Sequence, residues 1–237
     1  MKGRAVTTDL RVLVAIPWRP QPSRMIAHEE TVDRYRELLP GVEIVDVDTG
    51  HEPFCLAACR NRGVRLAEES GADVVVLGDA DTLPEREPLL SAIEGAAASG
   101  LVHLPYTSYR SLRGRGTREY RLGKPLRECD HFTVPGACSG VYVTTPATWW
   151  AHGGQDERFA GWAPEDMAWL ISHRTLLGAE PVRHEGYVYA LAHESAAKAG
   201  PVYERCVALY QRYMAAAGDA EEVRALIAER PETVSVT

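Results

Sequence analysis

The feature that most constrains this chain is the run Asp73-Val74-Val75-Val76-Leu77, which passes through Gly78 straight into Asp79-Ala80-Asp81. Consecutive apolar, mostly β-branched residues leave no polar side for water, so the run fits a strand covered on both faces, as in the sheets of α/β folds. The residues that follow such a strand stand at the carboxyl edge of the sheet, where α/β proteins bind ligands. Carboxylates two residues apart on an extended chain point the same way. As hard oxygen donors, they suit Mg²⁺ or Mn²⁺. Short acidic patterns also occur in plain turns, so the position after the apolar strand carries more than the pattern itself.

Upstream, Leu10 to Ile16 reads as a buried strand ending at Pro17, and Val42 to Val47 as a second strand entering Asp48-Thr49-Gly50. Between them Val32, Tyr35, Leu38 and Leu39 recur at helical spacing within 28–39, and Pro40-Gly41 stops the run. Leu56, Cys59, Gly63, Leu66 and Ala67 mark a further helix over 54–69, with Gly71 just past its end. Three strand-helix alternations predict a sheet with crossover connections, so that Pro17-Trp18-Arg19, Asp48-Thr49 and Asp79-Ala80-Asp81 share one edge. Downstream the reading places strands at 101–104, 137–144 and 181–190. Cys138, Gly140 and Tyr142 share a face of the second of these. Helices are expected at 146–151, 164–177, 196–217 and 220–229, with a frayed tail from Pro231.

The 237 residues, 45% of them hydrophobic, suit one large domain or two small ones with a substantial core. No apolar stretch is long enough to cross a bilayer and none follows Lys2 and Arg4, so a soluble, cytoplasmic protein is expected. Five cysteines (Cys55, Cys59, Cys129, Cys138, Cys206) form an odd set without closely spaced pairs, which predicts reduced thiols rather than a zinc cage or a disulfide framework. A net charge of -7 excludes a protein that coats nucleic acid with its whole surface. One stretch runs against that balance, with Arg110, Arg113, Arg115, Arg118, Arg121, Lys124 and Arg127 opposed only by Glu119, Glu128 and Asp130. It reads as a solvated loop, or as an electropositive mobile lid over phosphates.

Further motifs carry a family resemblance. Arg60-Asn61-Arg62-Gly63 resembles the Arg-Asn-x-Gly helix start of glycosyltransferases of the GT-A fold, which carry an Asp-x-Asp motif at the end of such a strand. Gly136-Ala137-Cys138-Ser139-Gly140, then Gly153-Gly154-Gln155-Asp156-Glu157-Arg158-Phe159, then Gly161-Trp162-Ala163-Pro164-Glu165-Asp166 are similar in order and spacing to a longer signature. That signature is shared by many family 2 enzymes and by the galactosyl- and N-acetylgalactosaminyltransferase C-terminal module. The resemblance covers residues 10 to 195; Ala163-Pro164 departs from it, standing where a small glycine pair is usual, which bears on the mobility of that loop.

The resemblance implies a Rossmann-like nucleotide-diphospho-sugar transferase fold of the α/β class, a mixed, mainly parallel sheet flanked by helices. It implies a single GT-A domain over 1–237, with a nucleotide-binding half at 8–105, an acceptor and catalytic half at 132–195, and C-terminal helices at 196–230. The implied activity is metal-dependent transfer of a hexose, of Gal, Glc, GalNAc or GlcNAc type, from a UDP-sugar to a hydroxyl acceptor. Asp79 and Asp81 would hold Mn²⁺ or Mg²⁺, with His193 completing the coordination and His184 as the fallback. Asp166 would be the base and Glu165 would bind the acceptor or donor sugar. Pro17, Trp18, Arg19, Asp48, Arg60, Asn61, Asp79, Ala80, Gly140 and Trp162 would surround the nucleotide sugar.

Elementary physics adds roles to these positions. Glu165 and Asp166 open a helix, whose dipole favours carboxylates, so both are expected to be ionised. Adjacent helical residues diverge, so one is expected to hold the acceptor hydroxyl and the other to brace the loop. Trp162 offers a flat face for a sugar ring, while Trp149, Trp150 and Trp169 read as packing. Asp48 can accept from a base or ribose, and Arg60 can meet a phosphate or hold Asp79. Two other readings compete. A nucleotidyltransferase would show a glycine- and lysine-rich phosphate loop, which Ile16-Pro17-Trp18-Arg19-Pro20 is not. A non-catalytic sugar- or nucleic-acid-binding module has no need of Asp79, Asp81, Glu165 and Asp166 intact. The acceptor stays open between a glycan, a protein and DNA with a hydroxylated base gripped by Arg110 to Arg127. Sugar identity, stereochemistry and oligomeric state stay open too.

Overall fold

The computed structural model describes residues 10–194 and 198–230; the tail from Pro231 and the expected helix start at Ala196 lie outside them. The apolar run forms β3 (Val74–Gly78), buried at every position. β3 pairs in parallel with β1 (Val12–Pro17), and β1 in parallel with β2 (Glu43–Val47). Helices α1 (Met25–Leu38) and α2 (Leu56–Ser70) make the crossovers. α2 lies so close on the sheet that a Cβ at Gly63 would stand 2.7 Å from the Ala15 Cβ, so only glycine fits there.

Beyond β3 the sheet becomes mixed. β8 (Val141–Thr144) runs antiparallel to β3, β5 (His103–Leu104) antiparallel to β8, and β9 (Val182–Arg183) parallel to β5. The order is β2-β1-β3-β8-β5-β9, with three parallel and two antiparallel pairings. A second sheet, absent from the sequence reading, has the order β4-β10-β6-β7 and is built from β4 (Thr82–Pro84), β10 (Tyr187–Leu191), β6 (Ser108–Leu112) and β7 (Phe132–Val134). Helix α3 (Arg86–Ser99) is likewise new, although its buried Leu89, Ala92, Ile93 and Ala96 do recur at helical spacing.

Three expectations are corrected. The strand expected at 181–190 is two strands in different sheets, parted at Gly186, where a Cβ would collide with Pro88. The strand expected at 137–144 begins only after Gly140, whose φ of 89° ends the irregular approach to it. The basic stretch is not an irregular loop. It is β6, helix α4 (Arg113–Arg121), a 3₁₀ turn at Leu126–Glu128 and β7. Two of its cations are engaged by neighbouring elements, Arg121 with Glu30 (2.9 Å) and Arg127 with Glu85 (2.7 Å), and Lys124 pairs within the stretch with Glu119 (3.0 Å). The Arg110 guanidinium lies 3.6 Å from the centre of the Tyr187 ring.

Helices α5 (Pro146–Ala151), α6 (Glu165–Leu177), α7 (Pro201–Ala215) and α8 (Ala220–Ala228) complete the chain. Trp149 and Trp169 belong to the main core, as expected, while Phe159, Cys206, Leu209, Tyr213 and Val223 form a second one. A buried carboxylate joins the two regions: Asp156 accepts from Arg158 (2.7 Å) and from the Tyr213 hydroxyl (2.8 Å), with Arg230 Nε at 3.5 Å. Burial alone would raise its pKa, but Arg158, Arg230 and Tyr213 together hold it below the usual carboxylate range. Its contribution is therefore complete above the unfolded carboxyl pKa and lost as pH falls through the lower folded value. Asp156→Asn should cost about 3 kcal/mol near neutrality, as loss of one partner of a buried pair does. In urea melts the gap between variant and wild type should close below about pH 4. A gap independent of pH would remove the ionic account.

Among the described residues no helix is long and apolar enough to cross a membrane. All five cysteines are free and buried.

Candidate active site

Asp79-Ala80-Asp81 spans the step from β3 in one sheet to β4 in the other. The backbone is turned rather than extended, since Thr82 N donates to Asp79 O (3.1 Å) and Asp79 N to Gly140 O (2.8 Å). The two carboxylates take different partners, although both line one cavity. Asp79 Oδ1 accepts from Arg60 Nη2 at 2.7 Å. Asp81 Oδ2 stands 2.6 Å from His193 Nε2. Antiparallel pairing of β10 with β4 sets Ala190 opposite Thr82, and Leu191 N donates to Asp81 O (2.8 Å), so the residues that follow β10 are delivered to Asp81. The hydrogen bond to Asp81 raises the pKa of His193. His184 sits apart, bonded to His103 at 2.8 Å.

Arg60, in the second turn of α2, is the hub. Its side chain is 1% exposed, stacks 4.9 Å from the centre of the Tyr142 ring, and donates to Gln155 Oε1 at 3.0 Å. Its Nη1 also lies 3.5 Å from Glu165 and 3.8 Å from Asp166. Burial would depress the guanidinium pKa, yet Asp79 foremost, with Asp166 and Glu165, more than offsets that and raises it. Burial, partly countered by Arg60, raises Asp79. Glu165 is pushed well above the usual carboxylate range, by burial first and then by the neighbouring Asp166 charge. At Glu165 desolvation therefore works against the helix dipole. The expected divergence of the pair is corrected, because both reach toward the same guanidinium.

Two adjoining cavities meet at this floor. One, of about 520 Å³, is lined by Pro17, Arg60, Asp79, Ala80, Asp81, Trp162, Glu165, Asp166 and His193 among the expected residues. The other, of about 730 Å³, shares Asp81, Tyr109, Ser139, Trp162, Asp166 and His193 with it. Trp162 is 38% exposed, and its ring faces Lys198 Nζ at 3.8 Å.

Five expected residues do not line either cavity. Trp18 is buried and stacked on His28, with ring centres 4.1 Å apart. Arg19 and Asp48 occupy each other through two 2.7 Å hydrogen bonds, and the Arg19 guanidinium backs Phe54, which does line the first cavity. Asn61 donates to Gln155 O and Glu157 Oε1, both at 2.8 Å, and accepts from Trp149 Nε1 at 2.9 Å. Gly140 contributes its carbonyl to the turn, and a Cβ there would stand 2.7 Å from the Tyr109 ring. Residues missed from the sequence include Tyr109, Ser139, Arg24 and Gln155. Tyr109 enters from β6, and no periodicity signals a strand pairing as distant as β6 with β10.

Two carboxylates and an imidazole suit Mn²⁺. Among the described residues no three His, Cys, Asp or Glu side chains form a ready cage. The donor set therefore fits an ion held by one or two carboxylates and completed by phosphate oxygens and water.

No protein-family model matches the chain, and no curated protein matches it in sequence. Among solved structures, that of GalNAc-T7 with UDP, GalNAc and Mn²⁺ matches with a TM-score of 0.53 at 13% identity, over 92% of this chain and 54% of that one. The catalytic domain of Drosophila beta1,4galactosyltransferase 7 in complex with xylobiose matches at 0.49 and 17% identity, over 73% of this chain and 63% of that one. Mannosyltransferase PcManGT from Pyrobaculum calidifontis, in complex with GDP-Man and Mn²⁺, matches at 0.46 and 15% identity, over 92% of this chain and 65% of that one. These two add no weight to the fold assignment, which rests on the first. This chain spans less than two thirds of each of the three. Its fold is that of the GT-A glycosyltransferases, a mixed α/β architecture.

Proposed function

We propose that the chain is a metal-dependent glycosyltransferase that moves a hexose from a UDP-sugar to a hydroxyl acceptor. The observation that carries this is the position of Asp166, which borders both cavities and so stands between a donor space ending on Asp79 and Asp81 and a second space beyond it. The acceptor oxygen forms its bond to the anomeric carbon as the bond from that carbon to the diphosphate oxygen breaks. The electron pair leaves with UDP, and the acceptor proton passes to Asp166. Asp166 suits this better than Glu165, since 28% of its side chain is open against 9%. Mn²⁺ or Mg²⁺ at Asp81 and His193, with Asp79 beside them, would neutralise charge on the departing diphosphate.

Arg60 holds Asp79 in place. Arg24 faces the same cavity and, among the described residues, donates to Glu194 O at 3.3 Å, which leaves guanidinium capacity for the diphosphate. Trp162 gives the sugar an apolar face. Arg19 and Asp48 act through Phe54, shaping the nucleotide end. The donor half at 8–105 and the acceptor half at 132–195 belong to the same reading, and five buried free thiols suit the cytoplasm.

The test is a thermal-shift panel of UDP-Gal, UDP-Glc, UDP-GalNAc and UDP-GlcNAc with and without Mn²⁺. A donor at a hundred times its Kd should stabilise the fold by about 2.7 kcal/mol. The gain should vanish on chelation, and slow UDP release should accompany it. No response to any nucleotide sugar sinks the reading. Pyrophosphate release from a nucleoside triphosphate would mark a nucleotidyltransferase instead.

A further inference from the structure

We infer that the larger cavity takes an acceptor bearing an anionic group, carboxylate or phosphate, anchored between Arg113 and Lys198. This rests on the transferase reading and names the acceptor class of that site.

The signs of charge in this cavity are segregated. Its acidic lining residues are Asp81 and Asp166, both where it meets the donor space, and His193 is bonded to Asp81. Arg113 and Lys198 line it without facing the donor space. Among the described residues neither cation has a carboxylate partner. Arg113 lies over the Phe132 ring at 4.6 Å, and Lys198 over Trp162 at 3.8 Å. Arg121, Arg127 and Lys124 of the basic stretch are spent on Glu30, Glu85 and Glu119, and of the seven cations in that stretch Arg113 is the one that lines the cavity.

The backbone at Arg113 supports the same assignment. Its φ of 50° makes it the only non-glycine residue in the left-handed region among those described. That conformation is costly for a residue with a side chain, and such strain persists where the surroundings impose it, often at a ligand site. Here a parallel bridge to Leu191 continues the β6 and β10 pairing and fixes the residue at the cavity. A neutral sugar would leave both cations without a counter-charge. An anionic group gains charge-assisted hydrogen bonds from them, and its placement at this end turns a hydroxyl toward Asp166.

The test compares methyl glucoside, glucuronate and glucose 6-phosphate as acceptors with one UDP-sugar and Mn²⁺. An anionic probe should exceed methyl glucoside by about tenfold or more in kcat/KM, as one charge-assisted hydrogen bond predicts. Whether glucuronate or glucose 6-phosphate leads identifies the anion. The preference should disappear in Arg113→Gln and Lys198→Gln, mainly through KM. It should disappear equally in Arg113→Gly, which suits the left-handed backbone and cannot fail through strain. Arg115→Gln, at a residue outside the cavity and paired with Glu119, should keep it. The same ranking is expected in equilibrium binding of the three probes by saturation-transfer NMR without donor. If no nucleotide sugar is turned over, the transferase reading fails while that ranking still decides the anionic site. Methyl glucoside binding as well as the anions, or a preference that survives in Arg113→Gly and Lys198→Gln, overturns the inference.

Discussion

Replacing Arg60 by Met is expected to lower stability by about 3–5 kcal/mol, the usual result of removing one partner from a buried ionic network. Met matches much of the volume and is apolar, so packing against Tyr142 is largely kept and charge is what changes. Asp79 loses its 2.7 Å partner, and Glu165 and Asp166 lose the cation that lies between 3.5 and 3.8 Å from them. Without a metal ion the carboxylates can lessen the penalty by taking up protons, which competes with metal binding. Transfer should therefore vanish along with stability. Arg60→Lys should rescue little, because a single ammonium cannot serve Asp79 and Gln155 as a planar fork does. Urea denaturation gives the readout as a lower midpoint at constant slope. Added Mn²⁺ should recover more stability in Arg60→Met than in wild type, since the ion supplies part of the missing charge. An unchanged midpoint would mean that the guanidinium does not hold the site together.

Asp166→Asn should reduce kcat by roughly 10²–10⁴, the usual contribution of a positioned general base. UDP affinity, read by thermal shift, should be nearly unchanged, because the substitution keeps shape and removes only proton acceptance. Glu165→Gln is the informative companion. Burial, and then the neighbouring Asp166 charge, raise the Glu165 pKa, which favours its neutral form, and glutamine imitates that form in shape and hydrogen bonding. Its effect on stability should stay within about 1 kcal/mol. Equal turnover in Asp166→Asn would remove Asp166 from the base role. A large loss of stability in Glu165→Gln would show that Glu165 is needed as an anion.

The fold was legible wherever local periodicity carried it. β1, β2, β3, α1 and α2 lie within a few residues of their expected bounds, since burial on both faces or on one stripe writes itself into consecutive residues. The second sheet was not legible. β4, β6 and β7 are short, and β6 pairs with β10 across a long stretch of chain, so no window of sequence contains the reason for either strand. The basic stretch misled for the same reason. Arg121 is paired with Glu30 on α1 and Arg127 with Glu85 before α3, partners that only folding brings near.

The site divides along the same line. By itself the sequence determined that acidic residues follow a buried strand at a sheet edge, that Arg60 and Asn61 lie on the helix before that strand, and that Glu165 and Asp166 begin another helix. Those are properties of local pattern and spacing. Only the tertiary structure decided which groups meet: Asp79 with Arg60, Asp81 with His193, and Arg19 with Asp48 rather than with a ligand. It also decided that burial raises the Glu165 pKa and that Arg113 lines the open cavity. The physical reason is that desolvation and pairing depend on neighbours from the whole chain, whereas strand and helix formation depend largely on the residues alongside.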